Sequence, residues 1–342
     1  MRVLFDIVHP ADVLLFHHPM ARLRARGDEV LVVSREKDVA CRLLDELGIV
    51  HRTISAKGSG TLGLARELAQ RDFGMWREVR RFRPDVMIGL GGVSIAHAGW
   101  LTGRPSIAFY AADTAKLQTR LTWPFITHLY VPEVYQGETP EGRTTRFPGI
   151  KELSYFHPDN FTIDEHRARK AGWQPEKDCF LIRTVAWGAN HDIGKTGWSD
   201  QTLAALVEFL AARGKVILST ERELSPALQP YLYRGDAKDL HHLMAKCALY
   251  VGESATMAHE AALLGTPAIY DGADHPGTTR DLAANGLVMA LRQPGESALL
   301  GEVERLLEPA VQESFEAARQ GYLAGKGNLA EFIVDAIDRH AI

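Results

Sequence analysis

Ala248-Leu-Tyr-Val-Gly-Glu-Ser-Ala-Thr-Met-Ala-His-Glu-Ala-Ala-Leu-Leu-Gly-Thr-Pro-Ala-Ile-Tyr270 reads as a strand, a tight turn, a helix, a glycine stop and a second strand. Residues 248–251 form a short apolar run, Gly252 permits the turn, Ser254 is a natural N-cap, and 255–264 holds only good or tolerated helix formers. Gly265 and Pro267 then end the helix. The first N–H groups of such a helix lack internal partners and carry the positive end of its dipole, so the turn is a ready anion site at the carboxyl edge of a parallel sheet. Thr256 and Glu260 lie four residues apart on one helix face, roughly 6 Å along the axis. A hydroxyl at a phosphate and a carboxylate at a neighbouring sugar diol would together suit a nucleoside diphosphate. An ordinary βαβ unit whose helix start meets solvent fits the same letters, and the rest of the chain has to choose between them.

At 342 residues the chain suits two domains of ordinary size. Its 46% hydrophobic and 24% charged residues are those of a globular protein, and a formal net charge of −4 argues against a nucleic-acid partner. The start meets Asp6 and His9-Pro10 too early for a secretory apolar stretch, and no run of 18 apolar residues occurs. Cys41, Cys179 and Cys247 are odd in number and far apart, which fits reduced packing thiols in a cytoplasmic protein.

Strand-like runs at 3–8, 30–34, 50–55, 86–89, 106–110 and 129–131 alternate with helical stretches, and a second series follows at 179–184, 215–219, 248–251, 267–270 and 287–290. This pattern predicts an α/β protein of two doubly wound, Rossmann-like domains with the ligand in the cleft between them. The expected boundaries are 1–150 for an acceptor-side domain, 151–177 for a proline-rich linker and 178–327 for a nucleotide-sugar domain. A last helix over 328–342 would return to brace the first domain.

Two glycine motifs resemble phosphate loops. Gly58-Ser-Gly60-Thr-Leu-Gly63 has the letters of a dinucleotide fingerprint but follows the third strand, and the ribose acid is misplaced. Gly188-Ala-Asn-His-Asp-Ile-Gly194-Lys195-Thr196 has one residue too many between its outer glycines for a P-loop. It follows the strand that carries Arg183, so that arginine is expected to face phosphates. Gly91-Gly92-Val93-Ser94 opens a helix in the first domain and is a candidate acceptor site; tight packing would select the same glycines. His17-His18 and His241-His242 are adjacent pairs that point about 100° apart on a helix, so no metal site is expected.

Candidate acid and base groups follow the first strand: Asp6, His9, Asp12 and His17. His9 is the favoured base, because an imidazole near its ordinary pKa of about 6.5 suits removal of a hydroxyl proton at neutral pH. Asp12 and Asp113 are the alternatives, and each acid has a structural reading as a buried or capping residue.

The chain resembles the GT-B glycosyltransferase superfamily, and most closely a branch of predicted glycosyltransferases related to the N-acetylglucosaminyltransferase of lipid II synthesis and to UDP-N-acetylglucosamine 2-epimerase. Phe5-Asp6-Ile7-Val8-His9-Pro10, Asp113-Thr114, Pro148-Gly-Ile-Lys-Glu-Leu153 and above all residues 252–267 carry the resemblance. It implies that Ser254, Ala255 and Thr256 hold the diphosphate, Glu260 the ribose hydroxyls, the backbone around Leu240 and His241 the base, and Thr278 and Thr279 the donor sugar. Where many relatives have a glycine pair before the helix, this chain has Ser254-Ala255.

The expected function is therefore a metal-independent transfer of a sugar from a nucleotide donor, UDP first, to an acceptor hydroxyl. No cofactor is called for, since the nucleotide sugar is a substrate. An epimerase-like isomerase and a non-catalytic nucleotide-sugar-binding protein are the other readings. Many relatives use lipid-linked acceptors, so a peripheral membrane contact through residues such as Trp76 or Trp100 stays open.

Overall fold

A computed structural model describes the chain except for residues 37, 57–59, 111, 114–115 and 186–196. The chain divides into two compact units, Met1–Phe161 with Gly327–Ile342, and Thr162–Lys326. The first contains strands β1 (Arg2–Ile7), β2 (Glu29–Glu36), β3 (Arg52–Ala56), β4 (Val86–Leu90), β5 (Ser106–Phe109), β6 (His128–Pro132) and β7 (Thr144–Phe147). Its helices are α1 (Pro10–Ala25), α2 (Asp38–Glu46), α3 (Gly60–Phe82), α4 (Val93–Thr102), α5 (Lys116–Thr122) and α6 (Leu153–Phe156). The second unit holds α7 (Glu165–Lys170), β8 (Cys179–Thr184), α8 (Asp200–Ala211), β9 (Lys215–Thr220), α9 (Leu240–Met244), β10 (Leu249–Gly252), α10 (Ala255–Leu264) and β11 (Ala268–Asp271). It continues through α11 (Gly277–Ala284), β12 (Val288–Leu291), α12 (Glu296–Leu306) and α13 (Pro309–Ala324), after which α14 (Leu329–His340) belongs to the first unit.

Both sheets are parallel. The first runs β3-β2-β1-β4-β5-β6-β7 and the second β12-β11-β10-β8-β9. The central strands are apolar along nearly their whole length because helices cover both faces: Val3, Leu4, Phe5 and Ile7 of β1 and Leu181 and Ile182 of β8 are fully buried. The strand order reverses between β1 and β4 in the first unit and between β10 and β8 in the second. Just beyond the carboxyl ends at such a reversal, the connections leave in opposite directions and open a crevice, the usual ligand position of an open α/β sheet. The two Rossmann-like units expected from the alternating pattern are thus present.

Three details differ from the sequence reading. Strand β7 was not foreseen, because Thr-Thr-Arg-Phe is polar and only Phe147 of it is buried. Within residues 151–177, α6 belongs to the first unit and α7 to the second, with the division at Phe161/Thr162. The last helix begins after Asn328, whose side chain accepts the Ala330 N–H at 3.0 Å.

Candidate functional site

In the second unit the reversal point is built from the ends of β8 and β10, where Gly252 lies in register with Arg183. Ser254 caps α10, its hydroxyl oxygen accepting the Met257 N–H at 3.3 Å, while residues 254–257 keep partial exposure. The amides of Ala255 and Thr256 lie in this first turn, whose N–H groups have no partner within the helix. Tyr250 secures the turn from below: it is fully buried, and its hydroxyl donates to the Ser254 carbonyl at 3.2 Å. A Cβ on Gly252 would stand 2.4 Å from that hydroxyl, so glycine is required by close approach. The next strand repeats the device, with the Tyr270 hydroxyl donating to the Asp274 carbonyl at 2.9 Å and passing within 2.2 Å of where a Cβ on Gly272 would be. Two adjacent strands therefore end in the same tyrosine-braced turn, each leading into a helix.

Glu260 sits one turn beyond Thr256 on α10 and is 3% exposed. Its Oε2 lies 3.3 Å from Nε2 of His241, the second residue of α9. The structure thus joins, through the His241 side chain, two residues to which the resemblance assigned the ribose and the base. Leu240 opens the same short helix. Thr278 and Thr279 fall in the first turn of α11 and are both buried; Thr279 Oγ1 meets His259 Nε2 at 2.9 Å, which ties α11 to α10. Arg183 is less available than expected, because its guanidinium donates to Ser219 Oγ at 2.8 Å and pairs with Glu221.

One residue of this edge was missed in the sequence. Glu253 is 4% exposed, and its carboxylate accepts the N–H of Val185 at 3.1 Å and of Trp198 at 2.6 Å. Trp198 in turn donates its indole N–H to Asp271 at 2.7 Å, and Asp271 accepts the Gln293 N–H at 2.6 Å. Two buried carboxylates so connect the ends of β8, β10, β11 and β12. An acid directly before the Ser254 cap was the only available signal. The motif at 188–196 lies outside the described residues.

In the first unit the reversal point joins the ends of β1 and β4. His9 is the exposed N-cap of α1, its Nδ1 accepting the Ala11 N–H at 3.2 Å. Asp12 stands behind it, 2% exposed, with one carboxylate oxygen accepting the N–H groups of Val8 at 2.7 Å and His9 at 2.9 Å. Burial pushes its carboxyl up to about 7, against the opposing pull of those two hydrogen bonds. This capping box gives Asp12 a structural task and places it one layer behind His9. Asp6 is ion-paired with Arg71 in the interior, and His17 Nδ1 sits 2.8 Å from the Leu14 carbonyl. Asp113 follows β5, two strands from β1 and hence about 10 Å across the sheet. Burial, then Tyr135 and the Asp113 charge, raise the phenol of Tyr110, and burial, then Asp113 and Glu138, raise that of Tyr135 to about 12.

Gly91 and Gly92 have φ of +80° and +62°, and a Cβ on Gly91 would overlap Gln118 Nε2 at 2.0 Å. The left-handed backbone demands glycine at both positions. Ser94, in the first turn of α4, is 2% exposed, and its hydroxyl has no hydrogen-bond partner among the described residues. Of the Gly58–Gly63 motif, 58–59 lie outside the described residues and Gly60 begins α3. Among the described residues no cluster of three or more His, Cys, Asp or Glu side chains is placed to hold a metal, and no helix is long and apolar enough to cross a membrane.

Residues 1–282 match a family described as a protein of unknown function (DUF354). The chain belongs to this family. No curated protein matches it by sequence. Solved structures share the fold of this DUF354 member at low identity. The UDP-GlcNAc 2-epimerase from Neisseria meningitidis bound to UDP-GlcNAc is 14% identical at a TM-score of 0.70, over 99% of this chain and 100% of that one. MurG of Acinetobacter baumannii is 14% identical at 0.62, over 99% and 100%. The glycosyltransferase SnogD from Streptomyces nogalater is 17% identical at 0.66, over 100% and 99%. The fold is that of the GT-B glycosyltransferases and UDP-GlcNAc 2-epimerases.

Proposed function

We propose that this protein transfers a sugar from a nucleoside-diphosphate donor, UDP first, to an acceptor hydroxyl. The observation that carries the reading is the first turn of α10 at the β8/β10 reversal, with the buried Glu260 carboxylate held one turn further along the same helix against His241. The amides of Ala255 and Thr256 and the hydroxyls of Ser254 and Thr256 would hold the diphosphate. Glu260 would accept from the ribose hydroxyls, the backbone at Leu240 and His241 would meet the base, and Thr278 would meet the sugar with Thr279 behind it. Arg183 would contribute positive charge, moderated by Glu221.

In the reaction the acceptor oxygen bonds to the anomeric carbon as the bond to the diphosphate breaks. His9 takes the hydroxyl proton, with Asp113 as the alternative base, and Gly91, Gly92 and Ser94 bind the acceptor. Negative charge grows on the departing diphosphate, and a preorganised helix N-terminus stabilises it without rearrangement or a bound metal or cofactor. The structural likeness to 2-epimerases supports a second reading, isomerisation of a UDP-sugar with no acceptor.

Thermal shifts with UDP, GDP, dTDP, ADP and their sugar conjugates test the donor site. Saturation at a hundred times Kd adds about 2.7 kcal/mol and raises Tm by a few degrees. We expect one diphosphate to act selectively and Glu260→Ala to lose the effect. If Glu260→Ala keeps full affinity, the ribose assignment is wrong. Conversion of a UDP-sugar without acceptor would identify an isomerase, and binding without any turnover a sensor.

A further inference from the structure

His97 of α4 touches three helices of the first unit, and the proposed site makes no use of it. Its Nδ1 lies 2.7 Å from a carboxylate oxygen of Asp72 in α3, and its Nε2 lies 2.9 Å from the carbonyl of Leu121 in α5. The side chain is 18% exposed, with the Phe125 ring edge-on to it at 5.2 Å between centroids. Both ring nitrogens therefore face acceptors. A neutral imidazole has one N–H, so it satisfies one of these contacts and turns a lone pair towards the oxygen of the other. An imidazolium satisfies both.

The surroundings favour the charged form. The hydrogen bond to Asp72 raises the imidazole above its ordinary value, opposed by burial and helped by the Asp72 charge and the Leu121 carbonyl. Asp72 in turn has its second oxygen, Oδ1, buried with no hydrogen-bond partner among the described residues. The other charges of the three helices are engaged elsewhere or face solvent. Arg71 pairs with Asp6, Glu67 with Arg35 and Glu78 with Arg52, while the remaining arginines of α3 and Lys116 and Arg120 of α5 are exposed. Helix α4 carries no charged group besides His97. Helix α5 also carries Gln118, whose Nε2 lies 2.0 Å from where a Cβ on Gly91 would stand and whose Oε1 accepts from the Tyr110 hydroxyl at 3.3 Å. Whatever fixes α5 therefore fixes the side chain that lies against the Gly91-Gly92 turn.

We propose that His97 is a positioning residue that acts as a proton-operated clasp: doubly protonated, it fastens α5 to α3 and α4 and holds Gln118 against Gly91, and it releases α5 when one proton passes to solvent as pH rises. The loss of that proton leaves a lone pair facing either the Asp72 carboxylate or the Leu121 carbonyl, so one of the two contacts turns from attractive to repulsive. The folded-state value lies above the ordinary 6.5, so the contribution of the clasp is full below about pH 6.5 and is lost as pH rises through the folded value. The inference goes beyond the donor reading and does not depend on it, since the clasp acts within the first unit whatever Gly91 and Gly92 bind.

The test is nuclear magnetic resonance of the full-length protein with nitrogen-15 in its histidines, together with hydrogen exchange of the α5 amides. The His97 signals, assigned by their loss in His97→Gln, should show both ring nitrogens protonated at about pH 7.5, where an ordinary imidazole is neutral. Exchange in α5, corrected for intrinsic rate, should rise by up to about tenfold for each pH unit above about 6.5 and level off once His97 has lost its proton. Asp72→Asn is an isosteric change at a part-exposed site. In that variant His97 should titrate at or below its ordinary value, and α5 should lose most of its pH dependence. A contact that merely fills space would loosen α5 equally at every pH. A single N–H on His97 of the wild type at about pH 7.5, or the same pH dependence of α5 in Asp72→Asn as in wild type, overturns the proposal.

Discussion

Asp12 shows how a residue suited to chemistry can be taken up by folding. It accepts two backbone N–H groups from within the interior, so Asp12→Ala should cost about 1–2 kcal/mol in chemical denaturation. Asp12→Asn keeps an acceptor at the same place and should fold normally. Its pH behaviour has a definite sign. The folded-state value of about 7 lies above the ordinary 3.8, so the contribution to stability is full below about pH 4 and is lost as pH rises towards 7. Wild type should therefore lose stability between pH 4 and 7 relative to Asp12→Asn, and parallel curves for the two would show that the carboxyl does not titrate there. Glu253 makes a comparable bridge in the second unit. Removing its carboxylate strands the Val185 and Trp198 amides, so Glu253→Ala should destabilise by roughly 2–3 kcal/mol, with Glu253→Gln intermediate.

At the scale of elements, the packing of α14 responds to pH. Phe332 reaches the rings of Phe109, Tyr130 and Phe147, and His340 Nε2 lies 3.0 Å from the Tyr130 hydroxyl with the His128 ring 4.8 Å away. Burial lowers the affinity of both imidazoles for protons, and for His128 the nearby His340 adds to the effect. Their stabilising contribution is present above the ordinary value near 6.5 and is lost as pH falls through the depressed folded values. Hydrogen exchange corrected for intrinsic rate should show α14 protected at pH 7.5 and markedly less so at pH 5. His340→Phe should blunt that change; equal loss of protection in the variant would acquit the histidine pair. The α10 turn depends on its tyrosine in another way. Tyr250→Phe removes only the bond to the Ser254 carbonyl, so a stability loss of about 1 kcal/mol should come with weaker diphosphate binding if that turn holds phosphate.

At the scale of the molecule, the second unit is continuous in sequence, whereas the first needs Gly327–Ile342 to return to it. The second unit has its own core, including Phe180, Leu206, Leu218, Val251, Ile269 and Val303. Truncation after Lys326 should lower the melting transition of the first unit and leave that of the second in place, together with its response to UDP. Loss of the UDP response in the truncated chain would mean that the donor is not bound by the second unit alone.

The alternation of apolar runs and helical stretches determined both parallel sheets, because strands covered on two faces must be apolar throughout and the crossovers between them must be helical. Residues 248–270 also determined the α10 turn, since Gly252, Ser254, Gly265 and Pro267 act on the backbone within a few positions of themselves. Strand β7 was beyond the sequence, for an edge strand needs only one buried side chain. The rest required contacts far apart along the chain: the His241–Glu260 pair, the Glu253 bridge from Val185 to Trp198 and the commitment of Arg183 to Glu221. Such a hydrogen bond depends on where strand order and helix packing bring residues in space, and local periodicity carries no record of that.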